Sequence, residues 1–420
     1  MRIFESFLKN VSSNVDNKTK HDKLFQRLFI ACLIFSSVVL SSIIPPVQSP
    51  DEIQHLYRAY SFAHGSITGV TVNNVTGDYI DTGLIKFIKS FEVLPFHPEK
   101  KLTKNDIELA KTITFTGEKS FCGSANSFLY SPLSYLPHAV GIIISEKLGL
   151  KVYDMFLVIR GLNVLSICSM LWVALKICPF FNPISMILLV LPMSLFQIAS
   201  TTTDDIHFAM VVLISSLFCN LSFNGYNKTY LLWLTLITCV LSTHRINFAL
   251  LFALPLILFY GERKKIYLLS SALILFTTLG WVAYAMMFVK SGGRNKDMIA
   301  VLLNYLQNAT IVLTASQRTF TNRGLVRFYW ESFVGQLGWL DYKVGEYMYQ
   351  LTAIFLPLAS ILSFGNRWRF KDIAGLLLTA AIFIGSYFIL LVQWTPYPVK
   401  GVIEGIQGRY LIPIFILGSY

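Results

Sequence analysis

SFLYSPLSYLPHAVGIIISEK, residues 127 to 147, is apolar enough to enter a membrane, yet Pro132 and Pro137 interrupt it. Whether it crosses sets the orientation of everything after it. Charge decides, because Lys and Arg collect on cytoplasmic loops. The basic clusters are the N-terminal tail, Gly261 to Lys265 (GERKK) and Arg367 to Lys371 (RWRFK). They share one side only if an even number of spans separates them. Counting 127–147 as a span puts the second cluster outside; leaving it out makes all three cytoplasmic. The segment therefore reads as an interfacial helix on the outer surface, its tyrosines at headgroup depth.

The composition agrees with that frame. Of 420 residues, 54% are hydrophobic and only 14% charged, too apolar a mixture for a soluble chain of this length. Apolar runs near or at spanning length occur at 28–45, 153–176, 183–200, 206–222, 229–243, 246–260, 266–289, 347–364 and 373–393, and a tenth begins at 411. The polar triplet Thr243-His244-Arg245 divides 229–260 into halves that are each short for a span. The expected class is an all-α polytopic integral membrane protein with about ten transmembrane helices. Its parts are a cytoplasmic tail (1–27), a first span (28–45), a large extracytoplasmic loop (46–152) carrying the juxtamembrane helix, a six-helix region (153–289), an aromatic extracytoplasmic loop (290–346) and a C-terminal transmembrane region (347–420). Pro45-Pro46-Val47 does not look like a small-residue cleavage site, so the first run reads as an uncleaved anchor. The net charge of +12 is explained by basic loops facing anionic membrane lipids and calls for no nucleic-acid partner. Only Cys122 lies in a long polar loop; the other five cysteines lie in or beside apolar runs, so no disulfide framework is implied.

With that parity, the chemistry collects outside. The stretch PPVQSPDEIQHLYRAY (45–60) places Asp51 and Glu52 at a membrane exit, where ionised groups are expensive and usually functional. Spacings of three and four put Asp51, Glu52 and His55 on one helical face, with Arg58 following. A Glu-x-x-His pair can be half of a divalent-cation site, but its usual partner motif is absent from the rest of the chain. No cofactor is firmly implied. Ser49-Pro50-Asp51-Glu52 also reads as a helix N-terminus, with N-cap, N1 proline and acidic first turn. Both carboxylates are expected near water, so Asp51→Asn and Glu52→Gln should each fold and insert. In ASTTTDDIHFA, Asp204 and Asp205 stand at the outer end of a span, where Thr203 and the aspartates also suit an N-cap. His244, Arg245 and Arg409 sit at other outer helix ends. Outer arginines run against the charge bias, and an Arg fork suits bidentate phosphate recognition. Gly405, Gln407 and Gly408 leave the backbone beside Arg409 and Tyr410 bare and approachable. Snorkelling to headgroups is the alternative, and that bare backbone counts against it for Arg409.

Loop 290–346 alternates Arg318, Arg323 and Arg327 with Phe320, Phe328, Tyr329, Trp330 and Trp339, an interfacial signature that could roof a cleft. No internal repeat, CxxC, HExxH, GxSxG or P-loop pattern occurs.

Five stretches carry a resemblance: PPVQSPDEIQHLYRAYSFAHG, FLYSPLSYLPHAVG, LPMSLFQIASTTTDDIHFA, FVGQLGWLD and IEGIQGRYLIP. Together they resemble a bacterial family of polytopic proteins of unknown function, related in turn to the GT-C class of membrane glycosyltransferases. The resemblance implies a GT-C-like fold and an acidic residue after the first span as base or acceptor contact. It also implies a juxtamembrane helix in the first outer loop and a second acidic position at Asp204 or Asp205. Its donor would be a polyprenyl-phosphate sugar and its products surface glycans such as O-antigen. One departure is that only ten residues follow Tyr410, too few for a span of roughly twenty. Either the chain stops half-way through a last helix or it is shortened, with acceptor-binding parts missing.

The expected function is transfer of a hexose such as glucose from undecaprenyl phosphate to a lipid-linked glycan, with Asp51 or Glu52 as base and Asp51 favoured. His55, Arg58, Asp204, Asp205, His244, Arg245, Gln407, Arg409 and Tyr410 are the substrate-binding candidates. A polysaccharide polymerase or ligase, or a lipid-linked glycan flippase, are the alternatives. Few polar residues beyond Arg160, Asn163 and Gln197 lie in the apolar runs, which counts against a conduit.

Overall fold

A computed structural model describes residues 24–178, 182–290, 298–363 and 369–420. Most of the N-terminal tail, the polar start of the 290–346 loop, and Arg367 of the third basic cluster lie outside these residues. The described chain is mostly helical. Its first helix, α1 (Leu24–Ile43), is apolar and little covered by the rest of the molecule.

The segment after Pro45-Pro46 builds a lobe of its own. It contains α2 (Glu52–Ala63), β1 (Val70–Val72), β2 (Val75–Asp81), α3 (Thr82–Lys89), α4 (Lys104–Thr112), β3 (Lys119–Gly123), α5 (Ala125–Phe128), a 3₁₀ turn at Pro132–Tyr135 and α6 (Leu136–Lys147). The three strands form an antiparallel sheet in the order β1-β2-β3. A purely helical reading missed it. The strands are short and partly exposed, and their signal is the dipeptide Asn73-Asn74, both left-handed, in the tight turn between β1 and β2. Asp81 pins the lobe: its carboxylate accepts from Gly83 N (2.7 Å) at the start of α3 and from Gly117 N (2.8 Å). Thr103 and Asp106 close a capping box on α4.

The decisive segment 127–147 is not one straight helix. Two short turns precede α6, whose 12 residues are about 18 Å long and fall short of a bilayer. Its buried face, with Ala139, Gly141 and Ile142, packs on α7 (Val152–Ile177). A Cβ on Gly141 would meet Ile159 at 3.1 Å, so glycine there allows the close approach. Helix α7 joins two cores. Val152, Met155, Phe156 and Ile159 belong to the lobe, whereas Val164, Ile167 and Leu171 belong to the main helical body.

That body continues with α8 (Pro183–Leu189), α9 (Pro192–Ile198), α10 (Asp204–Asn224), α11 (Lys228–His244), a 3₁₀ stretch at Ile246–Phe252 and α12 (Ala253–Glu262). Then come α13 (Lys265–Phe288), α14 (Met298–Gln307), α15 (Ala309–Thr321), α16 (Arg323–Val334) and a hairpin of β4 (Gln336–Leu337) and β5 (Tyr342–Lys343). The chain closes with α17 (Glu346–Ser363), α18 (Phe370–Gln393), a 3₁₀ turn at Gly408–Leu411 and α19 (Ile412–Gly418). Among the described residues, five helices are long and apolar enough to cross a membrane: α1, α7, α10, α13 and α18. The pair α14–α15, bent by 92°, passes the same test together. The apolar run 183–200 is broken between α8 and α9, where Pro192 supplies no N–H to continue a helix. The described part of the 290–346 loop, from Met298 on, is three helices and a hairpin.

Helix α10 is the axis, with 78% of its apolar window buried. Its 21 residues separate two different ends by about 30 Å. At one end Lys371 donates to the Ser222 carbonyl (3.2 Å) and packs against Gly261, so two basic clusters meet there. The other end carries Asp204 and Asp205.

Candidate functional site

Three chain segments converge at the acidic end of α10: the turn into α2, the turn into α10, and residues 407–410. In the first, Ser49-Pro50 leads into Asp51, whose φ of 66° is left-handed, a conformation aspartate tolerates better than most residues. Asp51 occupies the N-cap position but caps nothing. Its carboxylate is 49% exposed and pairs with Arg409 Nη2 at 3.0 Å. The N-terminal residues are tied instead by Glu52, whose Oε2 accepts from Ser49 N at 3.1 Å.

Glu52 is a structural residue. Its Oε1 accepts from the backbone N–H and the hydroxyl of Thr201, both at 2.9 Å, and lies 3.5 Å from Arg160 Nη2. It is fully buried, so the expectation that it sits near water, ready to act as a base, does not hold. Arg160 in turn donates to the carbonyls of Ser41 (2.8 Å), Ile44 (2.6 Å) and Pro45 (3.2 Å). One buried ion pair therefore binds α7, the exit of α1, the start of α2 and the 200–203 turn. Removing one partner would leave the other charge buried and uncompensated.

The second turn repeats the division of labour. Asp204 takes Arg245 Nη2 on Oδ1 and lies 3.3 Å from Arg409 Nη1 on Oδ2. Asp205 faces inward and accepts from Asn163 Nδ2. Thr203 stands at the N-cap of α10 without capping it; its hydroxyl pairs with His244 Nε2 at 3.1 Å. His244 Nδ1 lies 3.0 Å from the Ser131 carbonyl, which can only accept, so Nδ1 carries the proton and Nε2 receives the threonine hydroxyl.

Asp51, Arg409, Asp204 and Arg245 thus form an alternating chain of charges. Gln407 orients it, its Oε1 accepting from Arg409 Nε at 2.7 Å, and the Tyr410 hydroxyl is 3.2 Å from Nη2. Burial works against the Arg409 charge, but Tyr410, Asp204 and Asp51 outweigh it and hold its pKa above the usual range. Arg409 Nη1 is buried and makes no hydrogen bond among the described residues; its contact there is the 3.3 Å ion pair with Asp204 Oδ2. The bare backbone expected to hold a phosphate serves another end. A Cβ on Gly408 would lie 2.0 Å from the Tyr329 carbonyl, and Gly408 N donates to Ser332 Oγ (2.8 Å), so this glycine lets the turn press against α16.

Beside the charge chain lies a cavity of about 310 Å³. Asp204, His244, Arg245, Arg409 and Tyr410 line one part, and Trp281, Met286, Phe388 and Ile389 an apolar one. Asn247, Ser386, Tyr130 and Trp281 were not singled out by the sequence. Tyr130 stacks on His244 with centroids 4.8 Å apart, a contact across 114 positions that no local pattern encodes.

Besides Asp205, two substrate-binding candidates point elsewhere. Arg58 donates to the carbonyls of Ser66 (3.2 Å) and Ile67 (2.7 Å), with its guanidinium over Phe128, and so closes the end of α2. His55 Nδ1 meets the Tyr135 hydroxyl at 2.6 Å inside the lobe. Burial lowers its pKa to about 4, against a weaker opposing pull from Asp51 and Asp204. Glu52 and His55 therefore engage different partners, and among the described residues no group of three or more His, Cys, Asp or Glu is placed to hold a metal ion.

Residues 33–417 match the model of a protein family described as predicted membrane protein (DUF2142). No curated protein matches, and no solved structure does.

Proposed function

The chain belongs to the DUF2142 family of predicted membrane proteins, and we propose that it is a GT-C-like glycosyltransferase of the bacterial inner membrane. It moves one sugar, a hexose such as glucose, from a polyprenyl-phosphate carrier to a lipid-linked surface glycan such as O-antigen. In this reading the chain crosses the membrane about ten times, counting its short and broken helices, and the 46–152 lobe faces outward. The supporting observation is the charge chain along one part of a largely apolar cavity, into which Arg245 and Arg409 both face. Such a site suits a ligand with an apolar tail and an anionic head.

The roles follow from exposure. Arg245 and Arg409 bind the carrier phosphate, and their fixed charge stabilises it as it leaves. Asp51, half-exposed, takes the proton of the acceptor hydroxyl while that oxygen bonds to the anomeric carbon. The carbon–oxygen bond to phosphate breaks, polyprenyl phosphate departs, and the anomeric centre inverts. No acid is needed for a leaving group that is already a weak base. The test is transfer of radiolabelled sugar from polyprenyl phosphate in membranes that contain the protein. Movement of the lipid-linked sugar across the bilayer with no transfer would overturn the reading in favour of a flippase.

A further inference from the structure

Backbone strain marks a second place on the outer side of the lobe. Among the described residues, Val47, Asp51, Asn73, Asn74, Phe96, Arg263 and Leu340 have positive φ without being glycine. Three of these have local reasons. Asn73 and Asn74 make the β1–β2 turn, and Arg263 ends α12 in a left-handed C-cap. Asp51 is an aspartate, which tolerates that region, and the other three gather around one indole. Trp339 Nε1 donates to the Val47 carbonyl at 3.0 Å, its ring lies 5.4 Å from that of Phe96, and Leu340 follows it. Val47 is four residues before Asp51.

Valine, phenylalanine and leucine at positive φ are outliers, and such strain persists only where the surroundings over-determine it. Core packing accounts for Val47, which is fully buried. It does not account for Phe96, which is 66% exposed at a strained loop position. The result is a partly open aromatic pair, hydrogen-bonded to the segment that leads into the half-exposed Asp51. Exposed Lys100, Lys101 and Lys104 follow Phe96 in the chain, with Glu99 between. A pyranose ring offers a face of C–H bonds to such rings while its hydroxyls stay wet, and the lysines complement an anionic lipid carrier.

We propose that Trp339 and Phe96 form a carbohydrate platform, on which a sugar ring of the lipid-linked acceptor stacks and presents its hydroxyl to Asp51. The identity of that sugar as the acceptor rests on the transferase reading; the capture of carbohydrate does not.

The test is photo-cross-linking in cells fed tritiated sugars, with benzoylphenylalanine replacing Phe96 in the full chain. Tyr79, a half-exposed aromatic on β2, is the control position. Labelled glycan should be captured at 96 and not at 79, and Trp339→Ala should abolish the capture. Phe96→Ala, at an exposed position, should fold normally and raise the acceptor KM several-fold with donor KM unchanged. Capture of phospholipid alone, or of nothing, would overturn the platform and leave an interfacial aromatic anchor. Because capture needs no turnover, captured glycan without transfer counts against the transferase alone, and transfer without capture counts against the platform alone.

Discussion

The two acidic pairs, Asp51-Glu52 and Asp204-Asp205, begin two different helices and are built to one plan. In each, one carboxylate meets Arg409 and its neighbour is buried in the scaffold: Glu52 on Thr201, Ser49 and Arg160, Asp205 on Asn163. Consecutive positions on a helix are about 100° apart, so adjacent side chains at a helix start face different surroundings. An acid pair in sequence is therefore two functions in space. The pairs also differ. Asp51 keeps one side open to water, whereas Asp204 is enclosed between two arginines, which suits the first to exchange a proton and the second to hold charge.

The largest break in the comparison should come from Glu52→Gln. It leaves Arg160 buried without its counter-charge and turns an amide donor toward Thr201, at a cost of about 3–5 kcal/mol. Folded yield and thermal midpoint in detergent measure it; an unchanged midpoint would return Glu52 to the candidate bases. Arg409→Lys keeps charge but loses the fork that joins both acids. It should weaken donor use by about 1.5–3 kcal/mol in saturation kinetics, with acceptor dependence unchanged. Wild-type donor saturation would reduce Arg409 to an anchor. Asp205→Asn should cost about 1–3 kcal/mol of stability while turnover per folded molecule stays at the wild-type level. A turnover loss at full stability would move Asp205 into the chemistry.

The smallest effect is of pH on the lobe. Burial lowers the pKa of His55 to about 4 and that of His138 to about 3. Both rings are neutral in the folded protein near pH 7, and the unfolded chain takes up the proton first as pH falls. Their contribution to stability is complete above the usual histidine pKa of about 6.5 and declines below it, through about 4 for His55. The thermal midpoint should fall over that window, and His55→Gln should flatten the decline.

Much of the site was legible because charge in an apolar chain stands out. Asp51, Asp204, Arg245, Arg409 and Tyr410 were singled out by position, and the structure brings them together. Which acid of each pair faces the cleft was not legible, since that depends on how α2 and α10 rotate against Arg160 and Asn163, more than 100 and about 40 positions away in sequence. Gly408 was misread for a similar reason. Its bareness suits a phosphate or a helix, and only the fold placed α16 against it. The β-sheet was missed because hydropathy reports burial in lipid, whereas these strands are stabilised within a small polar lobe.

Asp51→Asn tests the central claim most directly. Initial rates of radiolabelled sugar transfer from polyprenyl phosphate should be compared with wild type at matched amounts of folded protein. The account predicts a loss on the order of 100-fold or more with the thermal midpoint falling far less than in Glu52→Gln, because Asp51 caps nothing, is half-exposed and leaves Arg409 paired with Asp204. Transfer at the wild-type rate would contradict it and leave Asp51 as a counter-ion for Arg409.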